Sequence, residues 1–326
     1  MKTLIQNFSG QLREAIEIAQ QAKLTLYNGE LENVLISGLG GSGIGGTLVA
    51  ELCENGGTIP VLVNKKYQIP SFVGPSTLFI ASSYSGNTEE TIEATLAAKD
   101  KGAKIVCISS GGRIIELAKE NNWDYVIVPG GNPPRACLGY SLVQLVNILS
   151  FNKVTTDTMF KQLQGAIKLI DSEEQNIQNE AKEIAKKLVG KIPVIYTLSL
   201  EAVAVRFRQQ INENGKNLCW HHVIPEMNHN ELVGWRDKNE NLAVIVLRNA
   251  SDYYRNLKRL EVNLDIISKY TSHIITLNSK GSNTIEEAIY MIHLTDWISC
   301  YLADEKGVDV MEVKVIDHLK GELSKI

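Results

Sequence analysis

The chain has 326 residues, 44% hydrophobic and 21% charged, with a formal net charge of −4. That length suggests about two domains and allows sizeable cores. The acidic balance excludes the electrostatic footprint of a nucleic-acid binder. The longest apolar runs fall far short of a membrane span.

Residues 8–27 carry helical spacing with few breakers. Val34-Leu35-Ile36-Ser37 is expected to form a buried strand, followed by glycines and a helix over Thr47–Glu54. Strands are expected at Val61–Val63, Thr77–Ala81, Lys104–Ser109 and Tyr125–Val128, with helices at Glu89–Lys101 and Ile114–Glu120. Short β-rich runs alternating with helices imply a parallel sheet covered on both faces.

The second half repeats this order in different words. Ile192–Leu198 matches the strand at Val34, Glu201–Ile211 the helix after it, Leu242–Leu247 the strand at Thr77, Ser251–Ile267 the following helix, and His273–Leu277 the strand at Lys104. The offset stays at roughly 160–170 residues. Two α/β domains related by duplication are expected, over residues 1–152 and 153–326. Polar residues 151–190 form connecting helices, and a mainly helical tail from Glu286 breaks near Gly307.

The five cysteines (Cys53, Cys107, Cys137, Cys219, Cys300) form no CxxC pair, which suits buried reduced thiols. Met1-Lys2-Thr3-Leu4 opens no secretory apolar segment, so a cytoplasmic location is expected.

The most informative segment is Ser82-Ser83-Tyr84-Ser85-Gly86-Asn87-Thr88, between an apolar strand and a helix. Such a junction offers backbone N–H groups, a helix dipole and hydroxyl donors to a phosphate. The plainer reading is an N-cap by Asn87 or Thr88. One hydroxyl suffices for that, and four (Ser82, Ser83, Ser85, Thr88) are present.

Upstream, Gly38, Gly40 and Gly43 match a dinucleotide fingerprint. The next strand ends in Asn64-Lys65-Lys66, without the carboxylate a ribose needs. A glycine turn admitting a sugar phosphate to Gly41 and Ser42 and a purely structural turn are the other readings. In the second half Thr197–Glu201 replaces the glycine run and Arg248–Asp252 the serine loop, so that half looks to have given up anion binding.

Arg135 follows Pro133-Pro134 after a strand, placed either for substrate or for solvent. Glu213 ends a helix, where a lone glutamate is ordinarily solvated. Pro225-Glu226-Met227-Asn228-His229-Asn230-Glu231 crowds polar groups into a non-periodic stretch. It lacks the histidine pair of a helical zinc site, so no metal is expected, and His229 is an acid/base candidate. Lys320 near a helix end also complements the dipole.

Together, Gly40-Gly41-Ser42, Ser83–Thr91, Pro134-Arg135, Glu213-Asn214-Gly215-Lys216, Pro225–Glu231 and Leu319-Lys320 resemble, in order and over nearly the whole chain, the bifunctional phosphoglucose/phosphomannose isomerases with two sugar-isomerase (SIS) domains. The resemblance implies flavodoxin-like SIS domains and a sugar 6-phosphate substrate, with no cofactor. It assigns the phosphate to Ser42, Ser83, Ser85 and Thr88 beside Gly41, enediolate stabilisation to Arg135, and proton relay between C1 and C2 to Glu213. Ring opening falls to His229 and Lys320. It also implies a homodimer in which His229 is lent across the interface. Gly215 departs from the expected alanine, and Met311-Glu312-Val313 before Lys320 is atypical. A non-catalytic sugar-phosphate sensor and an aminosugar-phosphate isomerase or deaminase are the competing classes. The first is disfavoured by the missing DNA-binding segment, and the second need not keep the His229 segment.

Overall fold

The structure, a computed structural model, describes residues 1–323 and 325. They fall into two compact units. The amino-terminal unit is Gln6–Ser172 with Gly281–Ile289, and the carboxy-terminal unit is Met1–Ile5, Glu173–Lys280 and Tyr290–Ile326.

The amino-terminal unit holds a parallel sheet of β1 (Asn33–Ser37), β2 (Val61–Asn64), β3 (Thr77–Ser82), β4 (Lys104–Ser109) and β5 (Asp124–Ile127), in the order β2-β1-β3-β4-β5. This is the flavodoxin-like order, whose switch point at the C-terminal ends of β1 and β3 opens a crevice for ligands. Thr77–Ser82 is buried along its whole length, which is why it is apolar without alternation. A short α1 (Lys2–Gln6) falls almost wholly in the carboxy-terminal unit; the helices here are α2 (Phe8–Gln21), α3 (Gly40–Cys53), α4 (Glu89–Asp100), α5 (Gly112–Glu120) and α6 (Leu138–Phe151). Leu35, Phe79, Ile105 and Cys107 pack against Ala94, Ala98 and Ile114 in one core.

Two expectations need correction here. The helix expected over 8–27 stops at Gln21, because Thr25 is drawn to the edge of the sheet. Its N–H donates to Asp124 Oδ2 at 2.7 Å, and Lys104 Nζ donates to its carbonyl. The glycines after β1 are not a loop before a helix; they form the first two turns of α3. A Cβ at Gly46 would lie 2.8 Å from Ile36 Cγ2, and one at Gly45 2.7 Å from Ser141 Oγ. Close approach of α3 to β1 and α6 outweighs a helix-propensity cost of about 1 kcal/mol per glycine.

The carboxy-terminal unit holds β6 (Ile192–Thr197), β7 (Trp220–Val223), β8 (Leu242–Arg248) and β9 (Ile274–Asn278), all parallel, in the order β7-β6-β8-β9. β6, β8 and β9 take the sheet positions of β1, β3 and β4, the pairing expected from the internal repeat. The remaining helices are α7 (Thr158–Leu188), α8 (Glu201–Glu213), α9 (Tyr254–Ile267), α10 (Thr284–Lys306) and α11 (Lys314–Leu323). β7 was not expected, because a four-residue edge strand reading Trp-His-His-Val and only partly buried carries little periodic signal. α9 starts at Tyr254 rather than Ser251.

All five cysteines are free thiols. Burial pushes Cys53 and Cys300 up to about 11 and Cys107 and Cys219 to about 12. No helix among the described residues is long and apolar enough to cross a membrane.

Candidate active site

The adjacent strands β1 and β3 deliver two helix N-termini to the same edge of the sheet. Neither α3 nor α4 has a side-chain cap. The capping reading of the serine loop therefore fails. Asn87 Oδ1 accepts from the Arg113 N–H at 3.0 Å, and Thr88 Oγ1 accepts from Ser83 Oγ at 3.0 Å. With both residues engaged elsewhere, the first-turn amides of α4 and its positive dipole end are left without a side-chain cap. Glu89 turns aside to accept from the Tyr67 hydroxyl at 3.4 Å.

The hydroxyls are wired as donors. Ser42 Oγ accepts from the Tyr84 N–H at 2.9 Å, and Ser85 Oγ accepts from the Asn87 N–H at 3.3 Å. A hydroxyl carries one proton to give. Ser42, Ser85 and Thr88, whose oxygens already accept, keep theirs for a ligand. Ser42 and Ser83 are buried, whereas Ser85 is exposed.

Gly86, at φ +73°, turns the loop so tightly that a Cβ there would lie 1.8 Å from the Gly111 carbonyl. A Cβ at Gly41 would lie 2.6 Å from the Pro134 carbonyl. That closeness brings the turn Pro134–Ala136 and the buried Arg135 against the start of α3. A narrow recess here is lined by Gly41, Ser42, Tyr84, Pro134, Cys137 and Ser141. A wider recess, lined by Ile18, Lys23, Trp123 and Ile127 at the edge strand β5, contains none of the candidate site residues.

Sequence reasoning missed three supports of this cradle. Gln11, buried on α2, donates from Nε2 to the Ala136 carbonyl at 2.8 Å and accepts the Gly139 N–H at 2.7 Å, pinning the turn that carries Arg135. Ser110 donates to the Tyr84 carbonyl at 2.7 Å, bracing the serine loop from the neighbouring loop after β4. The Ser109–Gly112 run was a legible hint of that second loop. Tyr84 Oη accepts the Asn132 N–H at 3.3 Å, and burial pushes its phenol up to about 12.

Gly41, Ser42, Ser83, Ser85, Thr88 and Arg135 thus gather at one edge of the amino-terminal sheet. Glu213, His229 and Lys320 belong to the other unit. Glu213 is the last residue of α8, half-buried, with Lys216 Nζ on its carbonyl. Asn217, just beyond, donates to the Lys191 carbonyl at 2.8 Å, so this turn lies where β6 begins. The His229 segment lies where β6 ends, as Ile224 N–H donates to the Thr197 carbonyl at 2.9 Å. β6 has six residues, a span of about 17–20 Å. One chain therefore holds Glu213 and His229 at opposite ends of its sheet.

Most of the Pro225–Glu231 stretch anchors itself. Met227 is buried in the core, and Asn228 Nδ2 donates to Asn263 Oδ1 at 2.7 Å. Asn230 Nδ2 donates to Glu226 Oε1 at 2.9 Å. Glu231 Oε1 accepts from Tyr196 Oη at 2.5 Å and from Trp220 Nε1 at 3.2 Å. His229 projects from this braced turn and is exposed. Lys320 is exposed on α11.

The place in the second sheet that corresponds to the serine loop holds a carboxylate. Asp252, with a fully buried side chain, accepts from Ser199 Oγ at 2.6 Å, Asn249 N–H at 2.9 Å and Arg248 Nε at 3.2 Å. An acidic side chain of the chain itself fills the duplicated anion position.

A family model for the bacterial phospho-glucose isomerase C-terminal SIS domain matches residues 177–323. A bifunctional phosphoglucose/phosphomannose isomerase of Caldicellulosiruptor bescii is 36% identical, covering 99% of this chain and 98% of that protein. The chain belongs to the bifunctional phosphoglucose/phosphomannose isomerase family. The Aquifex aeolicus member of this family is 34% identical over 93% of this chain and 92% of its own. Among solved structures, the C-terminal domain of glucosamine-fructose-6-phosphate aminotransferase from Francisella tularensis has a TM-score of 0.74 at 16% identity, covering 94% of this chain and 96% of that one. That likeness shows the SIS fold. The glycine at 215, in place of the alanine expected from the resemblance, has a packing reason. A Cβ there would lie 3.0 Å from both Leu302 Cδ2 and the Ile211 carbonyl, so glycine lets α10 press closely on the end of α8.

Proposed function

We propose that this protein is an aldose–ketose isomerase that interconverts glucose 6-phosphate and mannose 6-phosphate with fructose 6-phosphate. The observation that carries the reading is the uncapped N-terminus of α4, ringed by hydroxyls with protons to donate. It suits a doubly charged phosphate held without lysine or arginine. Family membership supports the reaction class.

In the proposed mechanism the phosphate supplies remote binding energy that positions C1 and C2. His229 and Lys320 act as acid and base near O1 and O5 to open the ring. The Glu213 carboxylate takes the proton from C2 of the open aldose, and the C2–H electrons form a C1–C2 double bond as negative charge moves onto O1. The buried Arg135 guanidinium offsets that charge. A proton passes from the O2 hydroxyl to O1, and protonation at C1 by Glu213, with O2 becoming the carbonyl, completes the ketose. Glucose and mannose differ only at C2 and share one enediolate; their C2 protons lie on opposite faces, so one base serves both when the C1–C2 unit turns about the C2–C3 bond.

The two ends of β6 bear on assembly. One sugar is far smaller than the separation between Glu213 and His229 of a single chain, which supports a homodimer with His229 supplied by the second copy. A cytoplasmic location suits phosphorylated substrates.

The test is a coupled assay for fructose 6-phosphate from each aldose phosphate; production from neither would overturn the proposal. Replacing Ser83 with alanine removes the donor that orients Thr88. KM should rise by a factor corresponding to about 1–2 kcal/mol with kcat nearly unchanged. An unchanged KM would place the phosphate elsewhere.

A further inference from the structure

One stripe of α8 is polar although it is buried. Arg206, Gln210 and Asn214 recur every fourth residue, 3%, 2% and 0% exposed, and they face Asp296 and Ser299 of α10, 6% and 0% exposed. Arg206 donates to Asp296 through Nε at 3.1 Å and Nη2 at 2.6 Å, a two-pronged fork. Gln210 Nε2 donates to the same carboxylate at 2.9 Å. Asn214 Nδ2 donates to Ser299 Oγ at 3.0 Å, and Ser299 donates to the Asp296 carbonyl at 2.7 Å. One turn on, Lys306 closes the stripe, its Nζ donating to the Gly215 and Lys216 carbonyls at 2.8 and 3.1 Å and to Asn217 Oδ1 at 3.2 Å.

We infer that this polar ladder is a positioning device for the Glu213 carboxylate. The inference rests on the reading of Glu213 as the proton-relay base. Apolar side chains of the same size would hold the two helices together at least as well, since a buried ion pair is seldom worth more than good packing. What apolar contacts lack is direction. A helix that slips by one residue turns its side chains by about 100°, and one that slides by a turn moves about 5.4 Å. Forked and amide hydrogen bonds tolerate neither. Glu213 directly precedes the ladder's Asn214, and the lysine clasp lies one turn further on, so the angle at which its carboxylate leaves α8 is fixed from both sides. Proton transfer at carbon needs that angle, because misplacement by about 1 Å can cost about 100-fold in rate.

The ladder and the hydroxyl cradle belong to different units, so loss of the ladder should separate kcat from KM. The test is the triple variant Arg206→Met/Gln210→Leu/Asp296→Leu, which removes both charges of the fork together with the amide that shares its carboxylate. It should melt within a few degrees of the wild type, with kcat lower by about 10-fold or more and KM for the aldose phosphate little changed. Ser299→Ala, the smallest excision, should lower kcat about threefold at unchanged KM, and it decides the matter if the triple variant does not fold. Wild-type kcat in a folded variant, or a raised KM at wild-type kcat, would overturn the inference. Glu213→Gln assayed alongside separates the two ideas. If it stays active, the base reading itself has failed. If it is inactive while the ladder variants turn over normally, only the ladder has.

Discussion

Glu213→Gln will lose isomerase turnover by about 100-fold to 10,000-fold, the range contributed by a positioned general base, while a competitive sugar-phosphate inhibitor binds as before. The two side chains have nearly the same shape, and several bonds that hold this turn are made to backbone carbonyls. Lys216 Nζ reaches the residue's carbonyl oxygen, and Lys306 holds the carbonyls after it. The melting temperature should therefore stay close to that of the wild type. The proposed phosphate cradle of Ser42, Ser85 and Thr88 is untouched. Only the amide's inability to accept and return a proton changes. Equal loss of turnover and inhibitor affinity would show a structural residue.

Gly86→Ala should damage binding most. The added carbon would need to stand 1.8 Å from the Gly111 carbonyl, and the backbone there has φ +73°. The left-handed conformation alone costs about 1–2 kcal/mol for alanine. The steric overlap is with backbone, so no side chain can rotate away. The serine loop must separate from the loop after β4, breaking the Ile114 N–H bond to the Gly86 carbonyl at 3.0 Å and moving the hydroxyls of Ser85 and Thr88. Losing two charge-assisted bonds to phosphate amounts to about 3 kcal/mol or more, so KM should rise by about 100-fold. Gly56→Ala is the control, because a Cβ there meets nothing within 4 Å. Comparable KM values for the two variants would remove the loop from the binding site.

The parts of the fold that could be read early are those set by local pattern. Thr77–Ser82 and Lys104–Ser109 are buried apolar runs bounded by loops, and both strands lie where their sequences place them. α3 and α2 were misjudged for opposite reasons. Glycine propensity argued against a helix at Gly40–Gly46, but packing against Ile36 and Ser141 required one. Helical spacing argued for continuation beyond Gln21, but Asp124 and Lys104, 99 and 79 residues away, captured Thr25. The same distinction divides the site. The serine loop announced itself because strand, hydroxyls and helix are consecutive. Gln11 and the Arg206–Asp296 fork gave no signal, since their partners lie 125 and 90 residues away and neither side chain breaks a periodic pattern.

Asp252 gives the duplication an asymmetric outcome. A tethered acid next to its own donors has an effective concentration that dissolved phosphate cannot match. If the serine loop seats a phosphate as proposed, the matching position of the second sheet is already taken by the chain's own carboxylate. On that reading the unit without an anion seat is the one that carries the proposed base, Glu213.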